Sequence, residues 1–369
     1  MKIVVAADSF KGSLTASRAC QAVADALLAL DPSLAITQVP MADGGEGTVH
    51  ALLSNKPGGE TIQVEDVQGP LPNQRVDASY AWWPGEESAA IEVASASGLP
   101  LVPKALRDPL MASSYGTGQL IQHAVERGAR RIFLGLGGSA TVDGGLGLLS
   151  TLGWRFLDAV GRELSPCGAS LERIEHINPS ARDACDISAI EVIGLSDVAA
   201  HIFGPQKGAT PQQVSQLDAG LEHFNRVVQE QLGLPSLDVP FAGAAGGIGG
   251  AVIACLGGTL QPGGQVIADC CGLEALLESA DWVITGEGKL DSQSFQGKVV
   301  SSVLECARNT KAKVAVIAGQ VAVDERELRE RGVSAWQALA PHEASIADAM
   351  RDPIEHLRRA TSRLGISGA

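Results

Sequence analysis

Both ends of this 369-residue chain alternate short apolar runs with longer amphipathic stretches, and that alternation most constrains the fold. An apolar run of about four to eight residues followed by an i, i+3, i+4 pattern reads as a strand followed by a helix. Repeated, the unit gives parallel strands, because parallel neighbours cannot be joined by a tight turn and need a crossover. Lys2–Ala6 reads as the first strand. Ser13 or Thr15 caps a helix that runs to Leu30 and stops at Asp31-Pro32. Ala35–Val39 is a second strand, followed by the loop Pro40–Gly47 and a short helix from about Glu46. The style returns near the C-terminus. Trp282–Thr285 and Val314–Ala318 read as strands, Val299–Ala307 and Asp324–Arg331 as helices, and Ala344–Leu364 as one long helix.

The middle reads differently. Thr61–Val67, Arg75–Trp82 and Ala89–Val93 are strands separated only by turn signals such as Gly69-Pro70 and Pro84-Gly85, so they predict an antiparallel sheet. Helices follow at Tyr115–Glu126 and Leu146–Leu152, with strands at Arg131–Leu136 and Ile190–Leu195. Thr210, Pro211 and Gln213 form a strong start for a helix reaching Leu232, and Ala251–Leu256 is a short helix after glycines. The expectation is therefore an α/β protein of two domains. Residues 1–60 with 262–369 would form a Rossmann-like domain with a mostly parallel sheet, and residues 61–261 an inserted mixed-sheet domain.

Lys and Arg total 28 against 42 Asp and Glu, a net charge of -14, which disfavours nucleic acid and anionic membrane as partners. No apolar stretch approaches membrane-spanning length, and Met1–Phe10 is too short for a signal peptide. Seven cysteines, an odd number without C-x-x-C spacing, suggest free thiols and a cytoplasmic setting. A homo-oligomer is compatible with this composition.

Glycine-rich loops begin where the predicted strands end, and open α/β sheets bind ligands beyond the carboxyl ends of their strands. Asp8-Ser9-Phe10-Lys11-Gly12-Ser13 suits a phosphate or carboxylate at a helix start, and it also reads as an ordinary capped turn. Ala42-Asp43-Gly44-Gly45-Glu46-Gly47-Thr48 sets glycine N–H groups between two carboxylates, which suits Mg²⁺ bridged to phosphate. The same residues equally read as a helix cap with its box partner. Gly135–Gly145 fits a loose G-x-G-x-x-A dinucleotide pattern through Gly135, Gly137 and Ala140. Its Ser139, Thr141 and Asp143 add polar groups useful to a phosphate site, while the plain reading is a tight strand–helix junction. Phe203–Ala209 presents Lys207 beside a glycine, either to a phosphate or merely as the turn before a capped helix. Gly243–Gly250 carries no charge and reads best as packing. Thr285–Gln293, closed by Gly297-Lys298, is the densest charged loop of the chain. A strict G-x-x-x-x-G-K-[ST] motif is absent. The residue types nonetheless match what phosphoryl transfer needs: anion-cradling N–H groups, metal-binding carboxylates, cations and a base.

The ordered set DSFKGS, ADGGEGT, PL-x₄-YGTG, GGSAT-x-DGG, FGPQKGA, GAAGG and VITGEGKLD-x-Q-x₃-GK resembles the bacterial glycerate kinase family of the glyoxylate and glucarate pathways, from Met1 to about Gly319. The resemblance implies two α/β domains with a cleft between them, ATP and Mg²⁺ as cofactors, D-glycerate as substrate and 2-phosphoglycerate as the favoured product. Carried over by motif, it places Asp8, Lys11, Asp43, Glu46, Asp143, Lys207, Glu287, Asp291 and Lys298 near the cleft. Assigning roles by chemistry, we take Asp43, Lys11, Asp143 and Asp291 as candidate catalytic residues, with Asp43 favoured over Asp143 as general base. Asp8, Ser13, Gly44, Gly45, Gly137, Gly138, Ser139, Lys207, Gly286, Gly288 and Lys298 are candidates for substrate or nucleotide binding, and Glu46, Asp197 and Glu287 for metal. Three departures stand out. Ala7 replaces a Pro, Val142 replaces an Asn, and Asp197-Val198 runs almost directly into Phe203 where the family has an N-P-L-x-G-x-x-G segment. The rival readings are a weakened paralogue that binds nucleotide or hydroxy acid, and a dinucleotide-dependent oxidoreductase.

Overall fold

The computed structural model describes residues 1–179, 187–196, 205–234, 241–340, 342 and 346–366. The chain opens with strand β1 (Lys2–Val5), helix α1 (Ala16–Leu30), strand β2 (Ala35–Gln38) and helix α2 (Thr48–Asn55). Thr15, not Ser13, is the cap of α1: its hydroxyl accepts from Arg18 N at 3.4 Å, while Ser13 Oγ donates to Phe10 O. Helix α2 starts two residues later than expected, after Gly47 at φ +98°.

The middle of the chain contains β3 (Glu60–Gln68), β4 (Arg75–Trp83), β5 (Ser88–Glu92), α3 (Val93–Ser97), α4 (Tyr115–Glu126), β6 (Arg131–Gly135) and α5 (Leu146–Thr151). It continues with β7 (Arg155–Leu157), β8 (His176–Asn178), β9 (Glu191–Ser196), α6 (Pro211–Leu232), α7 (Ala244–Ala254) and β10 (Thr259–Pro262). Thr210 and Gln213 close the expected reciprocal capping box on α6. Helix α7 is longer than expected because it absorbs the glycine run through three left-handed residues, Ala245, Gly246 and Gly247.

The last third contains α8 (Gly263–Cys270), α9 (Leu273–Glu278), β11 (Trp282–Leu290), α10 (Val299–Ala307), β12 (Lys313–Val321), α11 (Glu325–Glu330), β13 (Val333–Ala338), α12 (Ile346–Arg351) and α13 (Pro353–Ser362). Two expectations are corrected here. The charged segment after Thr285 is strand as far as Leu290, with Glu287 and Lys289 registered against Ala318 and Gln320 of β12. Gly286 looked like a turn residue, but a Cβ there would lie 2.1 Å from Ile317 O, so the glycine serves strand packing. The single terminal helix is two helices. Asp352 caps the second by accepting from Glu355 N, and Pro353 cannot continue the first.

Backbone contacts divide the chain into two compact units. One comprises Met1–Asp43, His50–Pro57 and Pro262–Ala369, and the other Gly44–Val49 and Gly58–Gln261. The first unit holds a parallel sheet in the order β13-β12-β11-β1-β2. Its apolar strands, with buried Ile3, Val5, Ile284 and Ile317, pack against α1 and α13. Each such side chain contributes roughly 1.5–3 kcal/mol of burial. The second unit holds a mixed sheet in the order β10-β9-β6-β5-β4-β3, antiparallel through β3-β4-β5 and parallel through β5-β6-β9. Among the described residues no helix is long and apolar enough to cross a membrane.

Candidate active site

In the first unit, β1 is followed by β2 on one side, while β11 leads to β12 and β13 on the other. Such a switch point is where an open parallel sheet leaves a crevice beyond its carboxyl ends. A cavity of about 390 Å³ lies there. Asp8, Ser9, Phe10, Lys11 and Ser13 come from the turn after β1, and Asp43 from the loop after β2. Glu287, Gly288 and Lys289 come from the end of β11, with Asp291 and Lys298 following it. Gly319, Gln320, Leu339, Ala340, Ile346, Ala349 and Met350 complete the lining.

Asp8 is held to the sheet by its N–H, which donates to Gly286 O at 2.9 Å, and its Oδ1 accepts from Ser9 N at 2.6 Å. Burial pushes its carboxyl well above the usual range, and the Asp43 charge adds to this. Strand alternation turns Glu287 inward, 6% exposed. Burial lifts its carboxyl to about 7, with Asp43 and Asp291 raising it further against Ser294 and Lys298. Glu287 Oε1 is buried without a hydrogen-bond partner among the described residues. Asp291 accepts from Gln293 N at 3.0 Å and pairs with Lys289 Nζ at 3.5 Å. Lys298 is the residue capping α10, where a helix N-terminus favours an anion.

Four carboxylates and three lysines therefore line the cavity, and a polyphosphate entering alone with all four ionised would meet an excess of negative charge. An orphaned buried carboxylate oxygen and two carboxyls pushed up by burial fit a hard divalent cation such as Mg²⁺. Among the described residues no three His, Cys, Asp or Glu side chains could hold a metal by themselves. Mg²⁺ commonly takes one or two carboxylates and completes its shell with phosphate oxygens and water.

A second polar cluster is enclosed in the other unit. Lys207 Nζ donates to Ser139 Oγ at 2.8 Å and Thr141 O at 2.7 Å. Burial lowers its pKa to about 7, and the Asp143 charge opposes this. Asp143, fully buried, accepts from Ser114 N and Oγ at 2.8 Å each, from Gly145 N at 3.2 Å and from Gly147 N at 3.1 Å. Burial pushes its carboxyl up and these donors pull it down. With its lone pairs so occupied, Asp143 ties the start of α5 to the turn before α4. These bonds give Asp143 a structural part at this position, where the sequence reading placed a candidate catalytic carboxylate.

The glycine loops of this unit pack on one another. Gly137 N donates to Gly44 O at 3.0 Å, and a Cβ on Gly137 would lie 2.4 Å from Gly45 Cα. A Cβ on Gly246 would lie 2.1 Å from Thr141 O. The place a dinucleotide pyrophosphate would need beside Gly137 is filled by backbone. Gly137→Ala should part the two loops at a cost of about 1–3 kcal/mol, read as a melting temperature lower by several degrees; an unchanged melting curve would refute this packing. The N–H groups of Gly47 and Val49 are also taken, by Glu92 Oε1 at 3.0 and 2.8 Å.

The structure thus gathers Asp8, Lys11, Ser13, Asp43, Glu287, Gly288, Asp291 and Lys298 around one cavity. Gly286 supports it from within β11. Ser139, Lys207 and Asp143 form the buried cluster of the other unit, where Gly44, Gly45, Gly137 and Gly138 serve loop packing or turns. Glu46 is exposed in that same unit. Asp197 and the shortened segment after Val198 lie outside the described residues. The sequence reading missed Glu92, for which no motif signals, and Ser114, which directly precedes YGTG. It also missed the apolar lining after β13, which looks like any core segment.

A doubly wound α/β unit with a lysine- and carboxylate-lined cavity at its switch point defines a phosphate-handling enzyme. The chain belongs to the glycerate kinase family, whose sequence model matches residues 3–366. It is 39% identical to the glycerate 2-kinase of Escherichia coli (strain K12), covering 99% of this chain and 97% of that protein. It is 47% identical to an uncharacterized protein of a Synechocystis strain, covering 86% of each. The crystal structure of a putative glycerate kinase 2 from Salmonella typhimurium LT2 superposes with a TM-score of 0.80 at 38% identity, covering 99% of this chain and 98% of that one.

Proposed function

We propose that this chain transfers the γ-phosphoryl group of ATP to D-glycerate with Mg²⁺, giving 2-phosphoglycerate, in a cytoplasmic setting that its free described cysteines suit. The observation that carries the reading is the cavity beyond β1 and β11, where buried carboxylates, one with an orphaned oxygen, stand among lysines. Asp8 and Glu287 would hold the metal, which when bound neutralises phosphate charge. Lys11 and Lys298 supply ammonium groups to the phosphoryl oxygens, Lys298 at a helix start. Asp43, buried beyond β2 and lining the same cavity, accepts the proton of the attacking hydroxyl. Asp291 caps the turn after β11 and holds Lys289, so it positions the cavity wall. Lys207 and Asp143 fix the loops of the other unit.

The test is phosphorus NMR of the product formed from ATP, Mg²⁺ and D-glycerate. Glycerate-dependent formation of 2-phosphoglycerate, abolished by a chelator, is expected. Exclusive 3-phosphoglycerate would overturn the regiochemistry, and ATP use independent of glycerate would overturn the acceptor.

A further inference from the structure

The cavity of the first unit has two chemistries. One side carries the carboxylates and lysines. The other is apolar, made by Leu339 directly after β13 and by Ile346, Ala349 and Met350 of α12. The three helical residues are spaced i, i+3 and i+4 and so share one face. Met350 is 53% exposed, an apolar side chain left at the cavity rather than packed away. A ligand matching both sides is charged at one end, as a metal-bound phosphate group is, and flat or apolar at the other.

Glycerate offers no apolar surface, and neither does a triphosphate chain. The part of the reacting pair that gains from leaving water is the purine base. Methionine suits it, being adaptable in shape and favourable against an aromatic ring. Resting on the kinase reading, we propose that the apolar wall of Leu339, Ile346, Ala349 and Met350 seats the adenine of ATP. The triphosphate then runs toward Lys11 and Lys298. The wall is thus the determinant that separates a nucleotide from a bare polyphosphate.

The experiment compares ADP with inorganic tripolyphosphate, each with Mg²⁺, by titration calorimetry on the full chain and two variants. Met350→Glu puts a charge on an exposed position, where folding is not at risk. Ala349→Trp fills the seat sterically. Both should weaken ADP binding by at least about tenfold, as expected for desolvating a charge or losing a matched apolar contact. Tripolyphosphate affinity should change far less, and the KM for ATP should rise more than kcat falls. Unchanged ADP affinity in both variants, on a parent protein that turns over ATP, would overturn the seat alone. So would a rise confined to the KM for D-glycerate, which would assign the wall to the acceptor. A parent protein that binds no ADP and consumes no ATP would overturn the kinase reading and the seat with it.

Discussion

Asp43→Asn should lower kcat by at least about 10²-fold, the lower end for acid–base catalysis, while ATP still binds. An alcohol is a poor nucleophile at neutral pH, and a carboxylate in reach can take its proton as the phosphorus–oxygen bond forms. Asparagine keeps the shape and removes the basicity. Asp43 is 4% exposed, in the loop beyond β2, so little water competes for it. Its charge also helps to push Asp8 and Glu287 up. Removing that charge lowers both, so the acid limb of the residual activity should move to lower pH. Steady-state kinetics across pH, with calorimetric ATP affinity, checks both effects. Near-normal turnover would remove Asp43 from the chemistry. An equal loss of Mg·ATP affinity would make it a cation holder instead.

The parallel sheet was legible because buried strands and capped helices leave periodic traces. Thr210 was readable as a cap from the residues alone, and the cap of α1 was narrowed to Ser13 or Thr15. The charged half of the cavity was readable too, since Asp8, Asp43 and Lys298 stand directly beyond strands or before a helix. What glycine does in each loop was not. Gly137 looks like an anion-binding glycine in sequence, but the space a Cβ would take is occupied by other backbone, as it is at Gly246, which reads as packing from the start. Gly286 and Gly288 mimic a turn inside a strand. Such uses depend on partners far along the chain, which local pattern does not encode. The same holds for Asp143, whose site-like motif hides a carboxylate occupied by four donors.

Asp143→Ala should cost about 3–5 kcal/mol, as when one partner of a buried charged network is removed. It strands the N–H groups of Ser114, Gly145 and Gly147 and leaves Lys207 without the charge that supports its protonated form. For a unit of this size that is a fall in melting temperature on the order of 10 °C. The loss should depend on pH. Lys207 titrates at about 7 in the folded protein, below its unfolded value, so its charged form opposes folding. Its contribution to stability therefore rises with pH above about 7, where the unfolded chain still binds the proton. Without Asp143 the folded pKa drops further, and the variant pays the cost of a protonated or proton-shedding Lys207 over a wider acidic range. The penalty should accordingly be larger at pH 5.5 than at pH 8, flattening above about 7. Protonation of Asp143 itself, raised by burial, shifts the difference in the same direction. Thermal unfolding of the parent, Asp143→Ala and Lys207→Met at the two pH values decides this. A small loss would mean that water replaces the carboxylate in the cluster. A large loss equal at both pH values would mean that Lys207 carries no charge there, leaving Asp143 to act only through the hydrogen bonds that join α4 to α5.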